Sequence, residues 1–539
     1  MNLVKAIGTI GGLTMVSRVL GFARDMIGAR ILGASHQNDA FNVAFTLPNI
    51  FRRLFAEGAF ASGFVPLFSR RLASGGVADA QRFSNDILAV FMPALLVITI
   101  LFEIIMPAFL WLIVSDYADV PGKFDLAVEL TRWTFPYLLF ISLVAFLSGV
   151  LNSLTRFAIA AFAPALLNIV LIVALLASPG GDTDAERVTT VRYLAIAVLI
   201  GGIIQFALCW AAVRRAGVKL HFGRPRMTPA VKELVILILP ATVAAGVYQI
   251  SQLFYTFFAS RLGEGALTNL FYADRLNQLP LSIIGTALGT AILPSISRAI
   301  ERREDGTAAD IQARAFDLAM LLTLPATLAL SVAAFPIIAA LFQSGNYSAE
   351  AAAITGQVLA ILVLGLPAYV LVKVLTPGFY ARKDVKTPVY VAMGILSGSI
   401  VANFLLIPII GIYALPTVTS AAAWLNFLLL FVILAARGHF RMPGWLISRL
   451  ARQLIAAAVM GAALFFLQRY LADALLGSAG WADDTRQFRR FAGVGILVGT
   501  GGILYFGIAW FIGGIDKDDM KTLFRRRAKP EEAPLSEGI

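Results

Sequence analysis

An all-α polytopic membrane protein of about fourteen transmembrane helices is the fold class this chain predicts, from three observations. The first is composition: of 539 residues, 59% are hydrophobic and only 14% are charged, against about 25% charged in a soluble chain. The second is run length. Stretches such as 87–100, 193–212 and 493–512 reach or approach the length that crosses a roughly 30 Å hydrocarbon layer. The third is the placement of charge. With the N-terminus set on the cytoplasmic side, connections on that side hold roughly three times as many Lys and Arg as those opposite. The net charge of +12 is therefore topological and not a nucleic-acid signal, and both termini are expected in the cytoplasm.

Taken in order, the spans fall near 4–32, 40–68, 87–114, 133–154, 158–178 and 193–213, then 233–259, 268–297, 315–342, 354–378, 388–410 and 412–436, and last 450–471 and 491–514. The first carries Arg18 and Arg24 and runs on into a second long segment, so no cleavable signal peptide is expected. The longest basic connection follows the sixth span and holds Gly217, Gly223, Pro225 and Pro229. It divides the chain into an N-lobe at 1–215, a linker at 216–232 and a C-lobe at 233–437. Six spans per lobe give the lobes one orientation, as in parallel repeats. Pro66-Leu67-Phe68-Ser69-Arg70 and Pro294-Ser295-Ile296-Ser297-Arg298 repeat P-x-x-S-R at equivalent exits. The spans at 438–514 then form an appended hairpin, and 515–539 a cytoplasmic tail whose Arg525–Arg527 run anchors by charge. Gly21, Pro48, Pro107, Pro136, Pro164, Pro240, Pro280, Pro325, Pro336 and Pro367 are expected to break spans, either as ordinary kinks or where helices line a cavity.

Seven basic side chains lie inside these spans: Arg18, Arg24, Arg30, Arg52, Arg53, Arg275 and Lys373. A charge at bilayer depth costs roughly 2.5–3.5 kcal/mol, so four central arginines facing lipid would cost about 10–14 kcal/mol. They are expected to face water, a carboxylate or an anionic ligand. Arg30 sits near a span end and reads as a snorkelling anchor. Arg53 is four residues from Glu57 and reads as its ion-pair partner. Arg18 and Asp25 share a helix face at i,i+7, which leaves Arg24 available; Arg52 has no such partner, and Asp274 adjoins Arg275 but points elsewhere. Arg18, Arg24, Arg52 and Arg275 thus predict an anion-binding cavity, since a guanidinium binds phosphate bidentately and stays charged when desolvated. Lys373 is assigned to neither class.

Nothing catalytic competes. The chain has no HExxH, GxSxG or Walker A motif. One cysteine, Cys209, and three scattered histidines exclude a disulfide and a Cys/His metal site. A transporter, not an enzyme, is expected, with no cofactor. It would be driven by substrate flux, the membrane potential or a monovalent ion.

SRVLGFARD (17–25), NDAFNVAFTLPNIFRRLFAEGAFASGFVP (38–66), FAPALLN (162–168), YADRLNQLPLSIIGTALGTAILP (272–294) and PGFYARKDVKTP (377–388) resemble the MurJ/MviN lipid II flippases. These belong to the multidrug/oligosaccharidyl-lipid/polysaccharide exporter superfamily, and the resemblance runs over essentially the whole chain. It implies two six-helix lobes around a central cationic cavity, with a terminal two-helix groove for a polyprenyl tail. It also implies a bacterial cytoplasmic-membrane protein of cell-wall (peptidoglycan) biosynthesis, working as a monomer among membrane lipids. Such a protein moves undecaprenyl-diphosphate-linked disaccharide pentapeptide to the outer leaflet by alternating access. Carried over by position, Arg24, Arg52 and Arg275 would bind diphosphate. Arg18 with Asp25, Asn49, and Arg53 with Glu57 would organise the site, and Asp39 would help close an outer gate. Gln278 stands where some members carry glutamate, so a salt bridge there cannot form and Gln278 is expected to accept a hydrogen bond instead. A flippase for another polyprenyl-diphosphate glycan, a small-molecule antiporter of the same superfamily and a cell-wall scaffold are the alternatives. The arginine excess speaks against an exporter of cations. An inward-open resting state is expected, because substrate enters from the cytoplasm.

Overall fold

A computed structural model describes residues 3–55, 59–476, 480–482 and 487–515. Helix occupies most of the described part of every stretch read above as a span, and no strand occurs among the described residues. Ten helical stretches there are long and apolar enough to cross a membrane; Lys386–Ala436 counts once, although Gly411 divides it into two helices.

The first lobe comprises α1 (Leu3–Leu32), α2 (His36–Phe55), α3 (Ala59–Val114), α4 (Lys123–Thr134), α5 (Tyr137–Ser153), α6 (Phe157–Ala177) and α7 (Asp184–Arg215). α3 is two arms meeting at Gly76, whose φ of 66° and ψ of −167° a helix cannot carry. The arms fold back on each other: Phe64 and Phe83 are both buried and stack at 5.6 Å across the bend. Phe60, Phe91 and Phe146 extend this aromatic core onto α5. α7 begins in a capping box, with Thr183 and Glu186 each satisfying the other's backbone N–H. α1 packs mainly on α6.

The second lobe comprises α8 (Pro229–Ala259), α9 (Ala266–Pro280), α10 (Thr286–Glu301), α11 (Asp305–Val332), α12 (Ala334–Leu341), α13 (Ala349–Leu362), α14 (Leu366–Tyr380), α15 (Lys386–Ile410) and α16 (Ala414–Ala436). α9 and α10 are one span interrupted by a π-turn at Leu281–Gly285, directly after Pro280. That is where the prolines matter most. Gly21, expected to break α1, does not: α1 runs through it as continuous helix. Pro48, Pro107, Pro164 and Pro325 also sit inside unbroken helical segments. In the turn before α15, Asp384 accepts from Thr387 N and Oγ1 and from Arg437 Nη1, which together hold its carboxyl down at about 2 and tie α15 to α16.

α17 (Gly444–Leu471) and α18 (Gln487–Phe511) pack on each other and on α11. Asp317 of α11 accepts from Arg449 Nη1 at 2.9 Å and from Gln453 Nε2 at 2.7 Å, and buried Arg490 of α18 donates to the carbonyls of Ala339 and Gln343 near the end of α12. The outer faces of this pair stay apolar and exposed at Phe466, Tyr470, Ile503 and Phe511.

The connection 216–232 is not a loose linker. Lys219 N donates to Gln81 Oε1 at 2.9 Å, His221 N to Asn85 Oδ1 at 3.0 Å, and Thr228 Oγ1 to Asp86 Oδ2 at 3.3 Å. Val218 and Leu220 are buried, and Phe222 stacks on Trp210 at 5.4 Å. The connection is a strap laid along the second arm of α3.

Candidate functional site: a cationic cavity between the lobes

α1 brings Arg18, Gly21, Arg24 and Asp25 to the space between the lobes, and α9 brings Arg275 to meet them. One buried carboxylate sits between two guanidiniums. Arg275 Nε donates to Asp25 Oδ2 at 2.7 Å, and Arg24 donates to Asp25 Oδ1 from Nε at 3.0 Å and from Nη2 at 2.5 Å. Asp25 is 5% exposed and Arg275 retains a 33% exposed side chain, so the charge left over faces the cavity. Asn168 of α6 completes the layer: it accepts from Arg24 Nη1 at 3.2 Å and donates to Ser17 O at 3.0 Å. Gly21 lies beside both groups: a Cβ there would stand 3.4 Å from Arg275 Nη2 and 3.5 Å from Asn168 Nδ2, in ordinary contact.

Arg18 does not pair with Asp25, as its position seven residues earlier suggested. It reaches across the lobes to Ser282 Oγ, at 2.5 Å, in the π-turn. Asp25 is taken by Arg24 because a long guanidinium arm can curl onto the residue beside it, and by Arg275 because α9 lies opposite. Arg18, Gly21, Asn168, Arg275, Gln278 and Ser282 line a cavity of about 240 Å³. A second pocket of about 40 Å³, walled by Arg24, Asp25, Asn38, Asn42, Phe45 and Tyr272, lies on the other side of the ion-paired layer.

Beyond that pocket the lobes are sealed. Asp39 of α2 is 1% exposed and caps α9 from the other lobe. It accepts from Gly265 N at 2.9 Å, Thr268 N at 3.0 Å and Thr268 Oγ1 at 2.8 Å. A helix N-terminus favours an anion, and α9 starts on Gly265, which has no side-chain cap of its own. Lys123 Nζ lies 3.2 Å from Asp39 Oδ2 and 3.9 Å from the centre of the Tyr117 ring, itself buried. Backbone closes on backbone next to this cluster. Asn346 N donates to Arg30 O at 2.9 Å, and Asn346 Nδ2 to Ile31 O and Gly181 O, both at 2.7 Å. A Cβ at Gly33 would fall 2.3 Å from Asn346 O, at Gly265 2.4 Å from Ala34 O, and at Gly345 2.5 Å from Arg30 O.

Other expected residues lie elsewhere. Arg52 Nε donates to Asn49 Oδ1 at 3.3 Å on α2, outside the lining of both cavities. Arg53 is exposed, and its expected partner Glu57 lies outside the described residues. Arg30 is exposed at the end of α1, in keeping with an anchor. Gln278 was expected to accept a hydrogen bond; its amide donates instead to Asp274, one turn back on the same helix, while Arg275 turns to Asp25. Lys123, Asn168, Ser282 and Asn346 went unnoticed in the sequence. Asn168 and Ser282 had a signal, since each lies in one of the family-like motifs, 162–168 and 272–294.

The family model for "Lipid II flippase MurJ" matches residues 28–479. The chain is 41% identical to a probable lipid II flippase MurJ of Rhizobium meliloti (strain 1021) over 98% of this chain and 97% of that one. It is 36% identical to the lipid II flippase MurJ of Burkholderia cenocepacia, over 98% of this chain and the whole of the other. Among solved structures, a lipid II flippase MurJ in an inward closed conformation superposes with a TM-score of 0.75 at 23% identity, covering 96% of this chain and 99% of that one. An inward-facing multidrug resistance MATE family transporter of the MOP superfamily shares the fold at a TM-score of 0.64 and 15% identity, over 80% of this chain and 98% of that one.

Proposed function

This chain belongs to the lipid II flippase MurJ family, and we propose that it carries lipid II across the bacterial inner membrane by lending the diphosphate its cavity arginines. It is a transporter. The observation that carries the reading is the single carboxylate, Asp25, held between Arg24 and Arg275, with Arg275 lining the same cavity as Arg18. A diphosphate drawn through hydrocarbon would lose its hydration at prohibitive cost. Guanidiniums already placed around a wet cavity replace that water.

In this mechanism Asp25 is a stand-in anion. It keeps two arginines oriented while the cavity is empty. An entering diphosphate takes Arg275 from it, and Asp25 competes the arginine back on release. Arg18, released from Ser282, adds the second contact. Arg24, locked by Asp25 and Asn168, positions the layer, and Arg52 serves the substrate only after α2 has moved. The sealed end, with Asp39 and the glycine turns, faces the outer side. The termini then lie in the cytoplasm, the protein works as a monomer, and alternating access consists of breaking this seal while the cytoplasmic side closes. A cavity of about 240 Å³ is below the roughly 300 Å³ of an ordinary ligand pocket. It accepts the diphosphate, while the disaccharide pentapeptide needs the cytoplasmic side wider. The apolar face of α17 and α18 leaves a lipid-exposed path for the tail.

The test is leaflet access of lipid II in cells depleted of their own flippase, read with an externally added lipid II-cleaving toxin. The parent chain restores cleavage. Arg275→Ala and Arg24→Ala at matched membrane levels each lose about 10- to 100-fold, the equivalent of one charge-assisted contact of roughly 1.5–3 kcal/mol. Variants that work as well as the parent would make these charges structural only.

A further inference from the structure

Lys373 is an intramembrane cation that the mechanism above leaves unused and that, unlike Arg30 and Arg53, is not exposed. It sits on α14, seven residues before the helix ends at Tyr380, and is half-buried. Its arm lies flat across the π-turn of the neighbouring span. A Cβ at Gly285 would stand 3.0 Å from Lys373 Cδ and 3.4 Å from Nζ, and one at Gly289 would stand 3.6 Å from Lys373 O. Gly285 therefore gives the lysine arm its track, and Gly289 lies in ordinary contact with the α14 backbone one turn on. A lysine that only anchored α14 would extend along its own helix toward the interface; this one crosses to its neighbour. Among the described residues Lys373 forms no ion pair and no hydrogen bond, and no charged group lies close enough to act on it. An unpaired ammonium at such depth is costly to keep.

The same turn presents Ser282 to Arg18 and Gly285 to Lys373, so its two sides hold one cation from each lobe. At 1.5 Å per residue, Ser282 lies about 10 Å along the span from Arg275, and Gly285 about 5 Å further. The cations thus form a line from the paired layer toward the end of the bundle opposite the seal. We propose that Lys373 is the first anion-binding residue of this line, receiving the diphosphate of a polyprenyl diphosphate at the cavity mouth before Arg18 and Arg275 take it. The inference rests on the flippase reading above. It adds a binding residue, contributed by α14, to a site otherwise built on α1 and α9.

The experiment titrates the purified full chain with undecaprenyl diphosphate and, separately, with lipid II, and reads occupancy by native mass spectrometry. Melting temperature is measured on the same samples. Lys373→Met should weaken both lipids by about tenfold, as for loss of one charge-assisted contact. Lys373→Arg should stay within about twofold, because the charge is kept. Gly285→Ala, whose methyl pushes the lysine arm off the turn, should fall between them. The melting temperature of Lys373→Met should not drop, since the lost charge had no partner. Unchanged affinity in Lys373→Met overturns the proposal, as does a lower melting temperature with unchanged affinity. A loss confined to lipid II also overturns it, because the anion would then be a peptide carboxylate. If Arg275→Ala weakens binding while Lys373→Met does not, the flippase reading stands and this inference falls. If neither does, the reading itself falls.

Discussion

Asp39→Ala is expected to lower the stability of the sealed state by about 3–5 kcal/mol, the usual cost of removing one member of a buried charged pair. The carboxylate supports two structures at once. It satisfies the first turn of α9 through Gly265 N and Thr268, and it neutralises Lys123, whose side chain is 3% exposed. Alanine leaves that ammonium buried over the Tyr117 ring with no anion, and leaves α9 uncapped. The double variant Asp39→Ala with Lys123→Met separates the two contributions. It should recover a large part of the loss, because the stranded charge is gone and only the cap is missing. Thermal unfolding in detergent measures both. A double variant no more stable than Asp39→Ala alone would show that Lys123 tolerates its burial without Asp39.

Gly345→Ala is expected to prevent the seal from closing. Its Cβ would lie 2.5 Å from Arg30 O and 2.9 Å from Arg30 Cγ, on the facing lobe. One of these contacts is backbone and cannot swing aside. The readout is Leu32→Cys, at a side chain that is 1% exposed and lines the small pocket behind the seal. Labelling by an impermeant maleimide added from outside should rise about tenfold in Gly345→Ala, as for a shift of about 1.4 kcal/mol toward the open seal. Lipid II access should fall with it. Gly438→Ala is the control. Its glycine has φ of 71° against 57° at Gly345, yet nothing lies within 4 Å of its Cβ. Backbone strain of about 1–2 kcal/mol is then common to both variants, and only the clash differs. Equal labelling in the two would show that the lobes are not held by this backbone contact.

Hydropathy made the helices legible, because an apolar run of this length has few other uses. The charged positions were legible for a related reason: a charge in such a run needs a partner or a purpose. Arg18 and Arg275 do line one cavity, Arg24 joins Arg275 on Asp25 and faces the smaller pocket behind it, and Asp39 does sit where the lobes close. The partners were not legible. Helical spacing fixes where a Cβ points, not where seven atoms of arginine end, so Asp25 looked available to Arg18 when Arg24 and Arg275 hold it. Lys123 looked like a loop residue because α4 is short and polar, yet tertiary packing buries it. The π-turn after Pro280 could not be told from the other prolines, most of which only sit in a helix. The seal rests on glycines in turns, and nothing in a turn's composition says what its backbone will touch.

The strap between the lobes has a consequence for how the chain can be built. His221 and Thr228 are held by neighbouring residues of α3, Asn85 and Asp86. The segment from Phe222 to Met227 therefore leaves the helix and returns to the same place, exposed throughout. Covalent continuity there contributes little beyond loop closure, a cost that grows only slowly with length. The two halves could be expressed as separate polypeptides, divided at Gly223, and each would still carry its own half of the contacts that dock it. A fragment pair of that kind would let either lobe be labelled, or exchanged with one from a relative, independently of the other.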